Sequence, residues 1–199
     1  MPSSSWLTSK WPINSITHKP RTLFDCIADV PLPESHTTSL TKQFLEAFTH
    51  YQALGLAHGD IKPKNLLFDE ANILKLSDFD SAEWFGEGRT MRDVVSTPYY
   101  VAPEVIMGRD YDEKVDIWSC GVILYTMLSG IPPFYGDSTV EIFEVVLMAN
   151  LRIPSTIFRS ASVQAKDLLR KMICRDPSRC IFAHHALRHP WILSTAHLS

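Results

Sequence analysis

The fold of this chain depends on three stretches: AHGDIKPKNLLF at residues 57–68, LKLSDFD at residues 74–80 and STPYYVAPE at residues 96–104. Each of them places acids, amides or basic residues beside a short apolar run. The apolar runs at 66–68 and 73–76 are separated by Asp-Glu-Ala-Asn, which predicts a short β-hairpin. We therefore expect the polar residues to lie in the turns at the ends of this hairpin.

Apolar spacing predicts helices around the hairpin. One long helix is expected after Pro33, ending near Gly55, because its apolar residues are three and four apart: Leu40, Phe44, Phe48, Tyr51 and Leu54. Residues 115–128 are apolar almost all round, which is typical of a buried helix. Further helices are predicted at 138–148, 162–173 and 183–187. With one hairpin and five or six helices, the fold is predicted to be mainly α.

Composition narrows the class of protein. A chain of 199 residues that is 45% hydrophobic is long enough to bury one sizeable core. A net charge of -3 gives no general attraction to nucleic acid or membrane, and no apolar run reaches the roughly 18 residues of a membrane span. The four cysteines form no C-x-x-C pair, which favours reduced thiols and a cytoplasmic location.

The polar residues of the three stretches fit phosphoryl transfer to a hydroxyl. Such a site needs a base, a cation on the transferred group and oxygen ligands for magnesium. Asp60 can accept the hydroxyl proton, Lys62 can neutralise the phosphoryl group, and Asn65 and Asp78 can hold the metal. An isolated D-x-K-x-x-N is more often a solvated turn, but its combination with D-F, T-P-Y-Y and A-P-E favours the catalytic interpretation.

From about Thr22 to Leu193 the chain resembles the C-terminal lobe of a Ser/Thr protein kinase of the calcium/calmodulin-dependent group. The stretches that carry the resemblance are DFDSAEWFGEGR, STPYYVAPEVIMGRDYDEKVDIWSCGVILYTMLSGIPPFYGDS and KDLLRKMICRDPSR, which within that group are most similar to plant phosphoenolpyruvate carboxylase kinases. The resemblance implies a partial kinase domain at 22–193, followed by a tail at 194–199. Residues 1–21 are rich in Ser, Pro and Lys and show no sustained apolar period, which predicts a poorly ordered segment.

The resemblance also implies ligands and residue roles. ATP and magnesium are the implied cofactors, bound at Asn65 and Asp78. The implied partner is a protein with a Ser or Thr hydroxyl, with phosphoenolpyruvate carboxylase as a candidate substrate. Thr97 is expected to bond near the catalytic base, Asp116 to anchor the backbone of the catalytic loop, and Glu104 to have a structural role. The chain has no D-x-[DN]-x-[DN]-G loop, so no direct calcium binding is expected.

The sequence lacks the first half of a kinase domain. A Gly-rich phosphate loop needs G-x-G-x-x-G, but the only G-x-G is formed by Gly86 and Gly88, inside the activation segment. No lysine occurs in a V-A-I-K strand. The sequence therefore predicts a large lobe without its small lobe, truncated and catalytically impaired as given. The alternative is a non-catalytic pseudokinase or a fragment that binds partners.

Single positions depart from the family pattern as well. Gly59 stands for the arginine of H-R-D, and Asp80 for the glycine of D-F-G. Aspartate can adopt left-handed backbone there at moderate cost, but it adds a negative charge beside the metal ligands. Cys180 stands for the arginine that pairs with the A-P-E glutamate, so Glu104 is expected to be buried without its cation.

Two further departures concern the substrate. Thr22 and Lys64 occupy positions where kinases of this group carry acids that read arginines upstream of the phosphorylated residue. Replacing one carboxylate by a hydroxyl and another by an ammonium removes attraction for a basic peptide. We therefore expect a weakened preference for basic peptides, unless the flexible Lys64 side chain turns into solvent.

Overall fold

The computed structural model of this protein describes residues 21–27, 30–84 and 98–194. Outside the described residues lie the segment 1–20 and residues 195–199 of the predicted tail 194–199. Gly86, Gly88 and Thr97 also lie outside them. Seven α-helices are found in the described part: α1 Glu34–Gln52, α2 Pro103–Ile106, α3 Lys114–Ser129, α4 Thr139–Met148, α5 Val163–Met172, α6 Ala183–Ala186 and α7 Pro190–Leu193. Four short strands accompany them: β1 Leu56–Ala57, β2 Leu66–Phe68, β3 Leu74–Leu76 and β4 Glu83–Trp84. The prediction of a mainly α fold with a short hairpin is confirmed.

The predicted hairpin is formed by β2 and β3, which pair antiparallel with Leu66 opposite Leu76. Its turn is held by Asp69, whose Oδ1 accepts hydrogen bonds from the backbone N–H groups of Ala71 and Ile73 at 3.0 and 2.8 Å. A second antiparallel pair, β1 with β4, was not predicted. Two residues per strand are too few to show a period of two.

Helix α3 is the centre of the core, and all of its residues are buried. It packs so closely on the end of α5 that a Cβ on Gly121 would lie 2.8 Å from Ile173 and 2.9 Å from Met172. Gly130 ends the helix in the left-handed conformation at φ 77°. The prediction of a buried helix is confirmed.

Helix α1 lies against this core. Its predicted apolar face is buried at Leu40, Phe44, Phe48 and Tyr51. The helix ends at Gln52 rather than near Gly55, and Leu54 is 54% exposed in the turn that follows. Leu54 fits the apolar spacing of the sequence, but it lies beyond the end of the helix and so is not part of its buried face.

One carboxylate joins the beginnings of three helices. Glu34, the first residue of α1, accepts a 2.7 Å hydrogen bond from the Ser162 backbone N–H and another of 2.7 Å from the Trp191 indole. Ser162 in turn caps α5 by accepting from the Ala165 N–H at 3.1 Å. A negative charge is stabilised at helix N-termini, so this network fixes the three helices together.

Two one-turn helices escape prediction, α2 and α7, and each begins with a proline. Proline suits the first helical position because no intrahelical donor is needed there. Four residues hold about one turn and give little periodicity, so sequence pattern indicated α6, predicted at 183–187, but not α2 and α7. In the described part of the chain no helix is both long and apolar enough to cross a membrane.

Candidate active site

Three of the predicted site residues meet in the loop at residues 58–65, called here the 58–65 loop. The Lys62 ammonium lies 2.6 Å from Asp60 Oδ2, and both side chains are mostly buried. The Asn65 amide donates to the Asp60 backbone carbonyl at 2.9 Å and to Asp60 Oδ2 at 3.2 Å. A 3-10 turn beginning at Pro63 folds the loop back on itself and so brings these side chains together.

The hairpin brings Asp78 to the same place. Strand β2 begins directly after Asn65, and β3 ends directly before Ser77. The Ser77 backbone N–H and hydroxyl both donate to the Asn65 carbonyl, at 2.9 and 3.0 Å. Asp78 therefore follows a residue that is bonded directly to Asn65.

Asp78 has an unusual backbone conformation, with φ 64° and ψ 61°. For a residue other than glycine such left-handed backbone costs on the order of 1–2 kcal/mol, and strain of this kind concentrates at functional sites. The moderate cost considered for left-handed backbone at Asp80 does not arise, because the left-handed residue is Asp78. Asp80 lies in a right-handed 3-10 turn, exposed to solvent, so the missing glycine of D-F-G imposes no strain there.

Phe79 points inward and supports the 58–65 loop. Its ring lies 4.6 Å from the His58 ring and meets the Tyr51 ring edge-on at 5.9 Å. Alternate residues of the turn therefore have opposite roles. Phe79 packs against the core, while Asp78 and Asp80 on either side are exposed.

Asp116, from the buried helix α3, holds the beginning of the 58–65 loop. It is 1% exposed and accepts three hydrogen bonds: from the backbone N–H groups of His58 and Gly59 at 2.8 and 2.9 Å, and from the Tyr51 hydroxyl at 2.8 Å. Burial raises the pKa of Asp116, and these donors oppose that rise. Gly59 has φ 75°, which suits glycine at this turn.

His58 continues this network across the loop. One ring nitrogen lies 3.0 Å from the Ser77 carbonyl, and the other accepts from the Asp60 backbone N–H at 3.2 Å. The side chain is fully buried. His58, Tyr51 and Ser77 were not singled out by sequence reasoning, although each flanks or faces a residue that was.

Magnesium is the metal that this donor set fits. The Asn65 amide nitrogen is engaged with Asp60, which leaves its oxygen as the donor atom for a cation. The exposed Asp78 carboxylate adds a second oxygen. Magnesium is commonly bound by one or two protein oxygens, with water and phosphate completing the shell. Among the described residues no group of three or more His, Cys, Asp and Glu is arranged to hold a metal ion.

Glu104 is a second buried carboxylate, 6% exposed, at the start of α2. Burial raises the pKa of Glu104 to about 7, and a backbone hydrogen bond to its carboxylate and the Lys114 charge oppose that rise. The Lys114 ammonium lies 4.3 Å over the Phe182 ring. Cys180 is buried, and the charge of Glu104 contributes to raising the pKa of its thiol. Arg179 is exposed. The expectation of a buried Glu104 without an arginine beside it agrees with this geometry.

This arrangement defines a class of protein. A carboxylate and an ammonium in contact, next to an amide and a second carboxylate suited to magnesium, are groups of the kind that phosphoryl transfer requires. The family model described as "Protein kinase domain" matches residues 15–192.

Curated relatives agree with that match. The chain is 44% identical over 162 residues to "Calcium-dependent protein kinase 11" of Oryza sativa subsp. japonica, which covers 80% of this chain and 28% of the relative. It is 43% identical to "Calcium-dependent protein kinase SK5" of Glycine max, with coverage of 80% and 32%. It is 41% identical to "Serine/threonine-protein kinase PEPKR2" of Arabidopsis thaliana, with coverage of 80% and 34%.

The chain belongs to the protein kinase domain family, and Ser/Thr kinases named as calcium-dependent are among the relatives it is similar to. It spans 28 to 34% of the length of these three relatives.

Proposed function

We propose that this chain supplies the catalytic and metal-binding half of a Ser/Thr protein kinase active site. The observation that carries the proposal is the contact cluster of Asp60, Lys62 and Asn65, joined to Asp78 through the Ser77–Asn65 hydrogen bonds. Thr97 belongs to the proposed site by resemblance and lies outside the described residues. Asp116 and Glu104 are proposed as structural residues of the same domain.

Each residue of the cluster has a chemical role in this proposal. Asp60 accepts the proton of the substrate hydroxyl as the oxygen attacks. Lys62, held 2.6 Å from Asp60, places a positive charge where the transferred group gathers negative charge. Asn65 and Asp78 present oxygens to magnesium. When bound, ATP with magnesium supplies the phosphoryl group and neutralises its charge.

Asp116 serves this chemistry by fixing geometry. Its three hydrogen bonds define the backbone at His58 and Gly59, directly before Asp60. A base that is misplaced by about 1 Å can lose on the order of a hundredfold in rate. We therefore propose that Asp116 is a positioning residue for Asp60, without contact to substrate.

The proposed partner is a cytoplasmic protein with a Ser or Thr hydroxyl. Phosphoenolpyruvate carboxylase is the first substrate to test, because the stretches at 78–89, 96–138 and 166–179 are similar to the plant kinases that act on it. Calcium is proposed to have no direct site in these residues, since the sequence contains no D-x-[DN]-x-[DN]-G loop.

The surroundings of Thr22 and Lys64 support a weakened preference for basic peptides. The Lys64 ammonium lies 5.2 Å over the exposed Phe24 ring, so a positive charge occupies this surface. Asp25 keeps one carboxylate beside Thr22, whose N–H and hydroxyl both donate to it at 2.8 Å. Attraction for an upstream arginine is therefore reduced rather than reversed.

A fusion protein tests the proposed activity. The small lobe of a related kinase, with its Gly-rich loop and lysine, is joined in front of Thr22, and transfer from ATP to a Ser peptide is measured with magnesium. Asp60→Asn and Asp78→Asn should each reduce transfer at least a hundredfold. Asp80→Asn is the matched control, because it removes a neighbouring exposed carboxylate that has no role in the proposal.

Three results are informative. Transfer that depends on Asp60 and Asp78 but not on Asp80 supports the proposal. Transfer that survives Asp60→Asn contradicts it. A folded fusion that transfers nothing favours the alternative, a non-catalytic domain that binds partners.

In the active fusion, Lys64→Asp should increase preference for a peptide with an upstream arginine, and an unchanged preference would contradict the specificity proposal.

A further inference from the structure

Two cysteines lie beside each other where α5 ends. Cys174 follows the last turn of α5, and Cys180 follows the 3-10 turn Pro177–Arg179. The Cys180 thiol lies 3.6 Å from the carbonyl oxygens of Met172 and Cys174, and the Cys174 thiol lies 3.3 and 3.4 Å from those of Arg170 and Lys171, so both sulfurs lie at the carbonyl end of α5. Both thiols are reduced in this structure.

The backbone between them is held in place. Asp176 caps the 3-10 turn by accepting from the Ser178 N–H at 3.0 Å, and the Cys180 N–H donates to the Pro177 carbonyl at 3.0 Å. The Ile181 N–H then donates to the Lys171 carbonyl of α5 at 2.9 Å. The proximity of the two thiols is therefore a property of the fold.

The two thiols differ in exposure and acidity. Cys174 is half-buried, and hydrogen bonding from Cys180, aided by Arg179, lowers the pKa of Cys174. Cys180 is 6% exposed, and donating to Cys174 raises the pKa of Cys180. A thiolate that small oxidants can reach is the nucleophile of cysteine oxidation, whereas a buried thiol is protected until its neighbour reacts.

The other two cysteines have no such neighbour. All four cysteines of the chain lie in its described part, and each is unpaired. Cys120 is completely buried in α3. Cys26 is half-buried, and its sulfur accepts from the Arg21 guanidinium at 3.0 and 3.1 Å.

We propose that Cys174 and Cys180 form a reversible oxidative modification site, in which hydrogen peroxide converts the two thiols into an intramolecular disulfide. The Cys174 thiolate attacks one peroxide oxygen, an S–O bond forms, the O–O bond breaks, and the departing hydroxide takes up the proton of the Cys174 thiol to become water. The Cys180 sulfur then attacks the sulfenic sulfur, the S–S bond forms, the S–O bond breaks, and hydroxide leaves with the Cys180 proton as a second water. Two thiols and one peroxide thus give one disulfide and two waters, and a dithiol reverses the reaction.

The disulfide would form next to the buried Glu104, whose charge acts on Cys180. It would tie the end of α5 to the beginning of α6, since Cys180 lies just before Ala183. The modification goes beyond the proposed phosphoryl transfer and does not depend on it.

Peptide mapping of the full chain tests the site. The reduced protein is treated with a graded series of hydrogen peroxide concentrations, free thiols are blocked with iodoacetamide, and tryptic peptides are identified by mass without reduction. Trypsin cuts after Lys171, Arg175 and Arg179, so a disulfide joins peptide 172–175 to peptide 180–188. We expect this linked pair at lower peroxide than any oxidation of Cys26, and complete reversal by dithiothreitol.

Variants and a denatured control separate the proposal from unspecific oxidation. Cys174→Ser and Cys180→Ser should each abolish the linked pair, whereas Cys26→Ser should leave it unchanged. In Cys180→Ser the oxidised Cys174 has no thiol to resolve it and should proceed to sulfinic acid. The linked pair should form faster in native protein than in urea, because the fold brings the thiols together.

Several results would overturn the proposal. One is oxidation of Cys174 to sulfinic acid in the native wild-type chain without a linked pair. Another is a linked pair that involves Cys26. A third is a rate of formation in urea equal to or above the native rate, since proximity in the chain alone would then explain it.

Discussion

Asp116 and Glu104 are both buried carboxylates, 1% and 6% exposed, yet their surroundings differ. Asp116 accepts hydrogen bonds from two backbone N–H groups and a tyrosine hydroxyl. Burial raises the pKa of both carboxylates; three hydrogen bonds oppose the rise for Asp116, whereas for Glu104 a backbone hydrogen bond and the Lys114 charge oppose it and the pKa is still raised to about 7. The cost of burying a carboxylate therefore depends on the donors that surround it.

The difference has a cause in the sequence. Two of the donors to Asp116 are backbone N–H groups, of His58 and Gly59, which remain whatever side chains those positions carry. By resemblance, the partner of Glu104 is a single arginine side chain, and Cys180 stands in its place. A site that depends on backbone donors survives substitution, whereas one that depends on a single side chain does not.

The largest effect is expected from Asp116→Ala. It leaves three donors buried without an acceptor, and we expect unfolding free energy to fall by about 3–5 kcal/mol. Urea unfolding, followed through the buried Trp118 and Trp191, measures the change. Asp110→Ala, at an exposed position, is the control and should change stability by less than about 0.5 kcal/mol. Equal losses of stability in the two variants would contradict the claim that the hydrogen bonds to Asp116 stabilise the fold.

Glu104→Gln should raise the unfolding free energy at neutral and higher pH, whereas Asp116→Ala lowers it. With a folded pKa of about 7, above the ordinary 4.5, Glu104 holds its proton longer in the folded state. Its contribution to stability is complete below about pH 4.5 and is lost as pH rises through 7. At pH 8 the glutamine variant should therefore be more stable than wild type by on the order of 2 kcal/mol.

The pH dependence provides its own control. Near pH 4.5 the wild-type protein and Glu104→Gln should have similar unfolding free energies, because Glu104 is then protonated in the folded state. The difference between them should open between pH 5 and pH 8, measured by urea unfolding at each pH. A constant difference over this range would mean that Glu104 does not titrate as described.

A smaller effect is expected from Tyr51→Phe. It removes one donor to Asp116 and keeps the ring that packs against Phe48 and Phe79. The cost should be about 1 kcal/mol, because two backbone donors remain. In the Asp116→Ala background the same substitution should cost clearly less, and an unchanged cost would show that the two residues are not coupled.

Much of the fold was predictable because it follows from patterns over many residues. Helix α3 has no polar face, so its burial follows from composition, and the β2–β3 hairpin follows from two apolar runs around a polar turn. Helices α2 and α7 and the β1–β4 pair are too short for any period. They form because tertiary neighbours hold them, which a local pattern does not contain.

The site residues were proposed from their identity and spacing, and the structure brings Asp60, Lys62 and Asn65 together. Backbone conformation was less predictable, because no local pattern shows that Asp78 is left-handed while Asp80 is not. The contact of Cys174 with Cys180 depends on how the chain returns to α5, which the spacing of two cysteines does not determine.

Metal binding by the chain itself tests the central claim most directly. Manganese(II) accepts the same oxygen ligands as magnesium and broadens the NMR signals of nearby amides, so it can be titrated into the nitrogen-15-labelled protein. We expect broadening centred on Asn65 and Asp78 at roughly millimolar metal, lost in Asp78→Asn and retained in Asp80→Asn. Broadening centred elsewhere, or unchanged in Asp78→Asn, would contradict the assignment of this loop and turn as the metal-binding half of a kinase site.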